Sequence, residues 1–187
     1  MLSALRRILS VGLLFRLWRR VLTWFGDAQV SLAPPKIRAS HIRQLLALVH
    51  PGDVILRRYI WYVDSHLIPG EYSHSMPVID ANTVMHATSD GVCREDIIDA
   101  VKDCDGFVLL RPRYEPGMAA CAISFAEGME GRDYDWLFDA ESKDAFYCHE
   151  LSFYALQAAG LCPDLNGRLY VTADDVASVC DRILTCP

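Results

Sequence analysis

The chain has no Cys-x-x-Cys pair, although it carries seven cysteines, Cys93, Cys104, Cys121, Cys148, Cys162, Cys180 and Cys186. That spacing lacks the paired thiolates of a common zinc site, and an odd count without close pairs does not make a disulfide framework. Most of these thiols therefore read as small core hydrophobes. The N-terminal segment lacks an apolar run long enough to cross a bilayer. Its longest uncharged stretch, Ile8 to Phe15, falls well short of the ~20 residues a spanning helix needs. No small-residue cleavage site follows it, so a signal peptide fits poorly. Internal repeats and low-complexity tracts are missing as well. Charged residues make up only 22% against 52% hydrophobic, which excludes a disordered chain. The net charge of −6 argues against nucleic acid as the main partner.

Acidic residues are absent from residues 1–26, which hold Arg6, Arg7, Arg16, Arg19 and Arg20. With Phe15, Trp18, Trp24 and several leucines, this segment reads as a basic amphipathic helix lying in a membrane interface, arginines toward the head groups and aromatic and leucine side chains inserted. Two other readings are a basic helix packed on the domain and a targeting peptide. Ala33-Pro34-Pro35 follows as a stiff linker. The expected organisation is a membrane-associating helix with its linker over 1–35 and one α+β domain over 36–187, in a peripheral membrane protein.

Within the domain, Ser40 is placed to cap a helix from His41 to Val49, stopped by Pro51-Gly52. DVILRR from Asp53 and GFVLLRP from Gly106 read as strands. Ser73–Ile79 and Thr83–Thr88 are strand-like runs separated by Asp80-Ala81-Asn82, which predicts a hairpin. Residues 117–130 and 146–159 read as helices, the second closed by Gly160. Thr172 with Asp175 three residues on caps a last helix, predicted to reach about Leu184. The sum is an antiparallel sheet with helices around it.

The stretch DAFYCHELSFYAL, Asp144 to Leu156, holds the candidate chemistry. Phe146, Tyr147, Leu151, Tyr154, Ala155, Ala158 and Leu161 keep helical spacing, so this is a buried helix, with Ser142 or Asp144 as its cap. Cys148 then falls in the first turn, where free backbone N–H groups and the positive dipole end favour a thiolate and lower its pKa. A useful thiolate also needs a base and a group that orients the base. A hairpin turning at Ala81 sets Met76 opposite His86, with His74 as the diagonal neighbour on the same face. His74 and His86 are thus candidates for base and orienter. The plainer readings are a buried core thiol for Cys148 and a half-buried strand residue for His86. A zinc helix is excluded, because His149-Glu150 opens an HExxH pattern whose second histidine position holds Phe153. No metal and no cofactor are expected.

The order PGDVIL, YSHSMPVI, VMHATSDGV, FVLLRP, RDYDWLF and FYCHELSFYAL, with the late VTADDVASV, resembles the circularly permuted papain-like amidases, the YiiX/YaeF-type branch of the NlpC superfamily. The resemblance spans roughly residues 51–180. It implies a permuted papain-like α+β fold, with a small antiparallel sheet or barrel packed with helices. It implies a nucleophile at Cys148, a base at His74 and a third polar residue at His86. A histidine there is similar to the Cys-His-His arrangement of the ordinary NlpC peptidases.

The resulting expectation is a cysteine hydrolase that cleaves a peptide or cell-wall type amide through an acyl-enzyme. The backbone N–H of Cys148 would stabilise the oxyanion. Tyr134 and His149 are carried as further oxyanion or substrate contacts, and Asp135 as the alternative third residue. Two other functions share these residues: a membrane-associated thioesterase or acyltransferase acting on lipid or acyl-protein substrates, and a non-catalytic membrane-bound binding module.

Overall fold

Strands that carry continuous apolar runs rather than alternating ones are covered on both faces, and two such runs organise this molecule. The computed structural model describes residues 16–18, 20–21, 36–59, 70–136, 145–165 and 167–187. The domain elements follow in the order α1 (Ala39–Leu48), β1 (Val54–Arg58), β2 (His74–Pro77), β3 (Thr83–Thr88), β4 (Gly91–Asp96), α2 (Ile97–Val101), β5 (Gly106–Pro112), α3 (Ala119–Gly128), α4 (Cys148–Ala158), α5 (Ala173–Ser178) and β6 (Cys180–Cys186). β1 and β5, the two apolar runs, are the central pair of a four-stranded antiparallel sheet of order β2-β1-β5-β6.

Ile55, Phe107 and Leu109 point to one side of this sheet and pack with Leu45 of α1 and Ile97 and Val101 of α2. Val54, Leu56, Val108 and Leu110 point to the other and meet Tyr147, Phe153 and Leu156 of the α4 region and Val176 of α5. A second layer, the β3–β4 ribbon, contributes Met85, Ala87 and Val92 to a third cluster with Ala122 and Ala126 of α3 and Phe146, Leu151 and Ala155 around α4. α4 therefore lies between the sheet and the ribbon. Its buried residues run without a break from Cys148 to Phe153, as expected of a helix covered on several sides.

The fold is α+β as expected, but the described strands do not close into a barrel. The hairpin expected between Ser73–Ile79 and Thr83–Thr88 is also not a paired ribbon. β2 pairs with β1, so Met76 faces Ile55 rather than His86, and β3 pairs with β4. Just beyond β2 the backbone meets β3 through an isolated bridge, Val78 to Val84, and an Ile79 N–H to Thr83 carbonyl bond of 2.9 Å. β4 and α2 occupy a stretch for which the sequence suggests no element.

Two further expectations change. α1 begins at Ala39 with Arg38 at its cap position, so Ser40 lies inside the helix. The last helix stops at Ser178, and Cys180–Cys186 forms the edge strand β6 on β5. Its predicted cap does hold: the Thr172 side chain accepts from the Asp175 N–H, and the Asp175 carboxylate accepts from the Thr172 N–H at 2.8 Å. Of the segment expected to meet a membrane, residues 16–18, 20 and 21 are described, all helical, and the remainder of residues 1–35 lies outside the described residues. Leu17 and Val21 are exposed, while the half-buried Trp18 ring stands edge-on to Trp136 at 6.5 Å. No described helix is long and apolar enough to cross a membrane.

The Gly52-Asp53 pair has a structural task. Gly52 has φ +91°, and a Cβ there would meet the Ala119 Cβ at 2.9 Å. Asp53 is buried, accepts from the His50 N–H at 2.8 Å and receives both Nε and Nη2 of Arg111 at 2.9 and 2.8 Å. This bidentate pair locks the start of β1 to the end of β5. Asp53→Ala leaves the His50 N–H and the guanidinium without their shared partner. It should destabilise the fold by ~3 kcal/mol, read as a lower midpoint in urea denaturation, and an unchanged midpoint would contradict this role.

Candidate active site

Cys148 is the first residue of α4 because the chain ahead of it is fixed in an extended path. The Phe146 N–H donates to the Asp133 carbonyl at 3.0 Å, and the Tyr147 N–H donates to the Glu150 carboxylate at 3.4 Å. The cap position is thus Tyr147; Ser142 and Asp144, the caps expected from sequence, lie outside the described residues. β2 holds the helix start from the other side. The Ser75 hydroxyl donates to the Cys148 carbonyl at 3.0 Å and meets the Ser152 hydroxyl at 2.8 Å. Alternation along β2 sends the His74 ring away from this contact, toward the ribbon.

There His74 meets His86 of β3. His74 Nε2 and His86 Nδ1 are 3.1 Å apart, with the rings nearly perpendicular at 86°. The structure therefore brings these two histidines together, through a contact between two layers rather than across a hairpin. The thiol is close by but engaged elsewhere. Its hydrogen bond goes to the Ser73 carbonyl at 3.8 Å, and no hydrogen bond between Cys148 and His74 is formed among the described residues.

Two charged residues that sequence reading did not single out complete the cluster. Arg57 of β1 is paired in register with His74, and its guanidinium donates to the Ala100 carbonyl. Glu95 of β4 brings Oε2 to 3.4 Å from His86 Nε2 and 4.0 Å from Arg57 Nη1. Glu95 reaches His86 because the two are diagonal neighbours in the β3–β4 register, where His86 faces Cys93. Assigning β4 as a strand was the signal that would have found Glu95.

Burial decides the charge state here. It pushes the Cys148 thiol up to about 11, although the backbone N–H groups of Ser75, His149 and Cys148 and the Arg57 charge favour the thiolate. The rise from 9.0 to about 11 corresponds to ~3 kcal/mol, more than the ~0.3–1 kcal/mol usual for a helix terminus. The lowered thiol pKa expected from the helix start alone is therefore overturned by desolvation. Burial, with the Arg57 charge second, lowers His74 well below its ordinary value and takes His86 down to about 4. The resting cluster is a neutral thiol beside neutral imidazoles.

His149, the residue after the thiol, is buried, with neither ring nitrogen hydrogen-bonded to the described residues. Burial lowers it to about 4, opposed by the Asp175 carboxylate, and its charge acts on His74. Tyr134 is half-buried, packs against the two clusters that flank α4 and stands 5.0 Å from the Trp136 ring. Asp135 is buried within electrostatic reach of Tyr147.

The histidine values carry a sign for stability. His86 and His149 both sit at about 4 in the fold against 6.5 when free. The unfolded chain thus binds more protons between these limits, and folding is favoured fully above pH ~6.5 and progressively less as pH falls toward ~4. Each histidine removes up to ~3 kcal/mol over that window. Urea midpoints at pH 7.5, 5.5 and 4.5 should fall in that order, and a flat series would show that these rings are not buried as neutral groups.

No protein-family model matches the chain, and no curated protein does. A solved structure does: yiiX from Escherichia coli O157:H7, described as a metalloprotein and as DUF1105, has a TM-score of 0.60 at 18% identity, with the match covering 72% of this chain and 96% of that one. A metal site like the one that description implies does not fit the residues here, since no group of three or more His, Cys, Asp and Glu side chains among the described residues is arranged to hold an ion. What the two proteins share is the fold, an α+β arrangement of small antiparallel sheets packed with helices.

Proposed function

We propose that the protein is a cysteine hydrolase of the permuted papain-like, NlpC-type kind, with Cys148 as nucleophile, His74 as general base and His86 as the group that orients the base. The observation that carries the reading is the pairing of His74 Nε2 with His86 Nδ1 at 3.1 Å beside a buried cysteine at a helix start. Because Nε2 of His74 is engaged, Nδ1 is the nitrogen left to receive the thiol proton. The thiol must first turn from the Ser73 carbonyl toward that nitrogen, a side-chain rotation that substrate entry would favour, and loose geometry before substrate binds is common at such sites.

Since both groups rest neutral, proton transfer accompanies attack. The S–H proton passes to His74 Nδ1 as sulfur bonds to the carbonyl carbon, and the carbonyl electrons move onto oxygen. The backbone N–H of Cys148, unpaired within the helix at this first position, and that of Ser75 stabilise the oxyanion. His74 then returns the proton to the leaving amine, and water, deprotonated by the same nitrogen, cleaves the acyl-enzyme. His149 and Tyr134 would contact substrate or oxyanion. The amide is of peptide or cell-wall type in this reading.

A thioester or lipid ester is the second reading. It is favoured by the exposed Leu17 and Val21 beside the exposed Arg16 and Arg20, which would hold the enzyme at a membrane surface where acyl substrates reside.

Acyl transfer to Cys148 is read by intact mass after incubation with p-nitrophenyl acetate, an N-acetylcysteamine thioester and a peptide anilide. The adduct should map to Cys148, vanish in Cys148→Ser and form at least ~10²-fold more slowly in His74→Ala. In His86→Ala it should slow by about tenfold. The preferred acyl donor among the three separates amide from thioester chemistry. No adduct on Cys148 from any donor would sink the hydrolase reading. Iodoacetamide should behave differently. At pH 7.5 the exposed Cys121 and Cys162 should react before Cys148, whose rate should climb only as pH approaches about 11. Rapid alkylation of Cys148 at neutral pH would instead reveal a preformed thiolate–imidazolium pair.

A further inference from the structure

We infer that Glu95 is a positioning residue that fixes the tautomers of both histidines, and through them leaves Nδ1 of His74 as its basic nitrogen. The inference rests on the proposed roles of His74 and His86 and adds a fourth member to their chain. It begins from an orphan. Glu95 Oε2 is buried and has no hydrogen-bond partner among the described residues. Such an acceptor is costly unless a donor serves it. The donors at hand are His86 Nε2 at 3.4 Å and Arg57 Nη1 at 4.0 Å. Arg57 Nη1 donates to the Ala100 carbonyl and lies farther from the carboxylate, which leaves the His86 ring as the nearer donor.

The consequence propagates by elementary valence. A carboxylate only accepts, so His86 carries its proton on Nε2. A neutral imidazole with Nε2–H has a lone pair on Nδ1, so His86 Nδ1 accepts. The 3.1 Å contact between His74 Nε2 and His86 Nδ1 then needs its proton on His74 Nε2. His74, neutral in its turn, is left with a lone pair on Nδ1. Reversing the first step reverses all of them. A donor in place of Glu95 would put the His86 proton on Nδ1 and the His74 proton on Nδ1, and that nitrogen of the base would carry an N–H in place of a lone pair. Burial raises the Glu95 carboxyl above its ordinary value, opposed by the Arg57 and Lys102 charges and aided by Asp99 and Asp96. His149 and Arg57 face His74.

The test uses the full-length protein labelled with 15N in histidine, at pH 7.5, with tautomers read from the ring nitrogen shifts, and acylation by p-nitrophenyl acetate in parallel. Wild type should show Nε2–H tautomers for both His74 and His86. Glu95→Leu should populate Nδ1–H forms of both rings and slow acylation by about ten- to a hundredfold. Glu95→Gln keeps a carbonyl acceptor and should restore the Nε2–H tautomers and most of the rate. Urea midpoints identify any variant that has lost the fold, and Glu95→Gln keeps the question open to decision if Glu95→Leu does so. Nδ1–H tautomers in wild type, or unchanged tautomers in Glu95→Leu, would overturn the inference. The tautomer measurement does not depend on activity, so an inactive protein with Nε2–H rings would sink the hydrolase reading and leave the role of Glu95 standing.

Discussion

Burying one helix start against one strand edge sets the terms for everything else in this molecule. α4 is pressed between the four-stranded sheet and the β3–β4 ribbon, and Ser75 ties its first turn to β2 through the Cys148 carbonyl and the Ser152 hydroxyl. These hydroxyls leave β2 free to carry His74 toward the ribbon. The ribbon can deliver His86 only because it separates from β2 after a single bridge at Val78 and Val84. A continuous hairpin would have kept both histidines on one two-stranded surface. Splitting the strands into two layers instead closes the cluster on itself and largely removes it from water, with His86 buried and His74 half-buried.

That removal governs the chemistry more than any single charge. In a buried site, each ionised group bears a desolvation cost that a helix terminus does not offset. Cys148 therefore rests as a thiol and the histidines as neutral rings. Arg57 strengthens the effect on the histidines and opposes it on the thiol. Such a cluster keeps the proton on sulfur at rest.

Several motifs that drew attention by their order turn out to hold the frame. Gly52-Asp53 locks β1 to β5 through Arg111. Thr172 and Asp175 cap α5. Gly91, which follows the short turn between β3 and β4, has φ +109°, and a Cβ there would lie 2.5 Å from the Arg132 carbonyl. The glycine lets the ribbon approach the segment leading to Tyr134. These positions hold the frame of the sheet, the ribbon and α5.

Local physics was legible in the chain. Apolar periodicity located α1 and α4, an Ala-rich stretch bounded by Pro116-Gly117 and Gly131 located α3, apolar runs located β1 and β5, and a capping pair located the start of α5. Each of these depends on residues a few positions apart, so the cysteine at a helix start and the two histidines on strand-like runs could be singled out. Tertiary structure decided the rest, because hydrogen-bond ladders and desolvation depend on neighbours far along the chain. Val176, Val179, Cys180, Ile183 and Leu184 keep helical spacing, yet Cys180–Cys186 pairs with β5 as a strand, since a free sheet edge outweighs local propensity. Strand partners of β2 and β3, the arrival of Glu95 and Arg57 and the neutral state of the thiol belong to this second class. The sequence by itself determined the helix that starts at the cysteine and the apolar runs that carry the two histidines. Which of these side chains meet, and in what protonation state, followed only from how the two layers pack around α4.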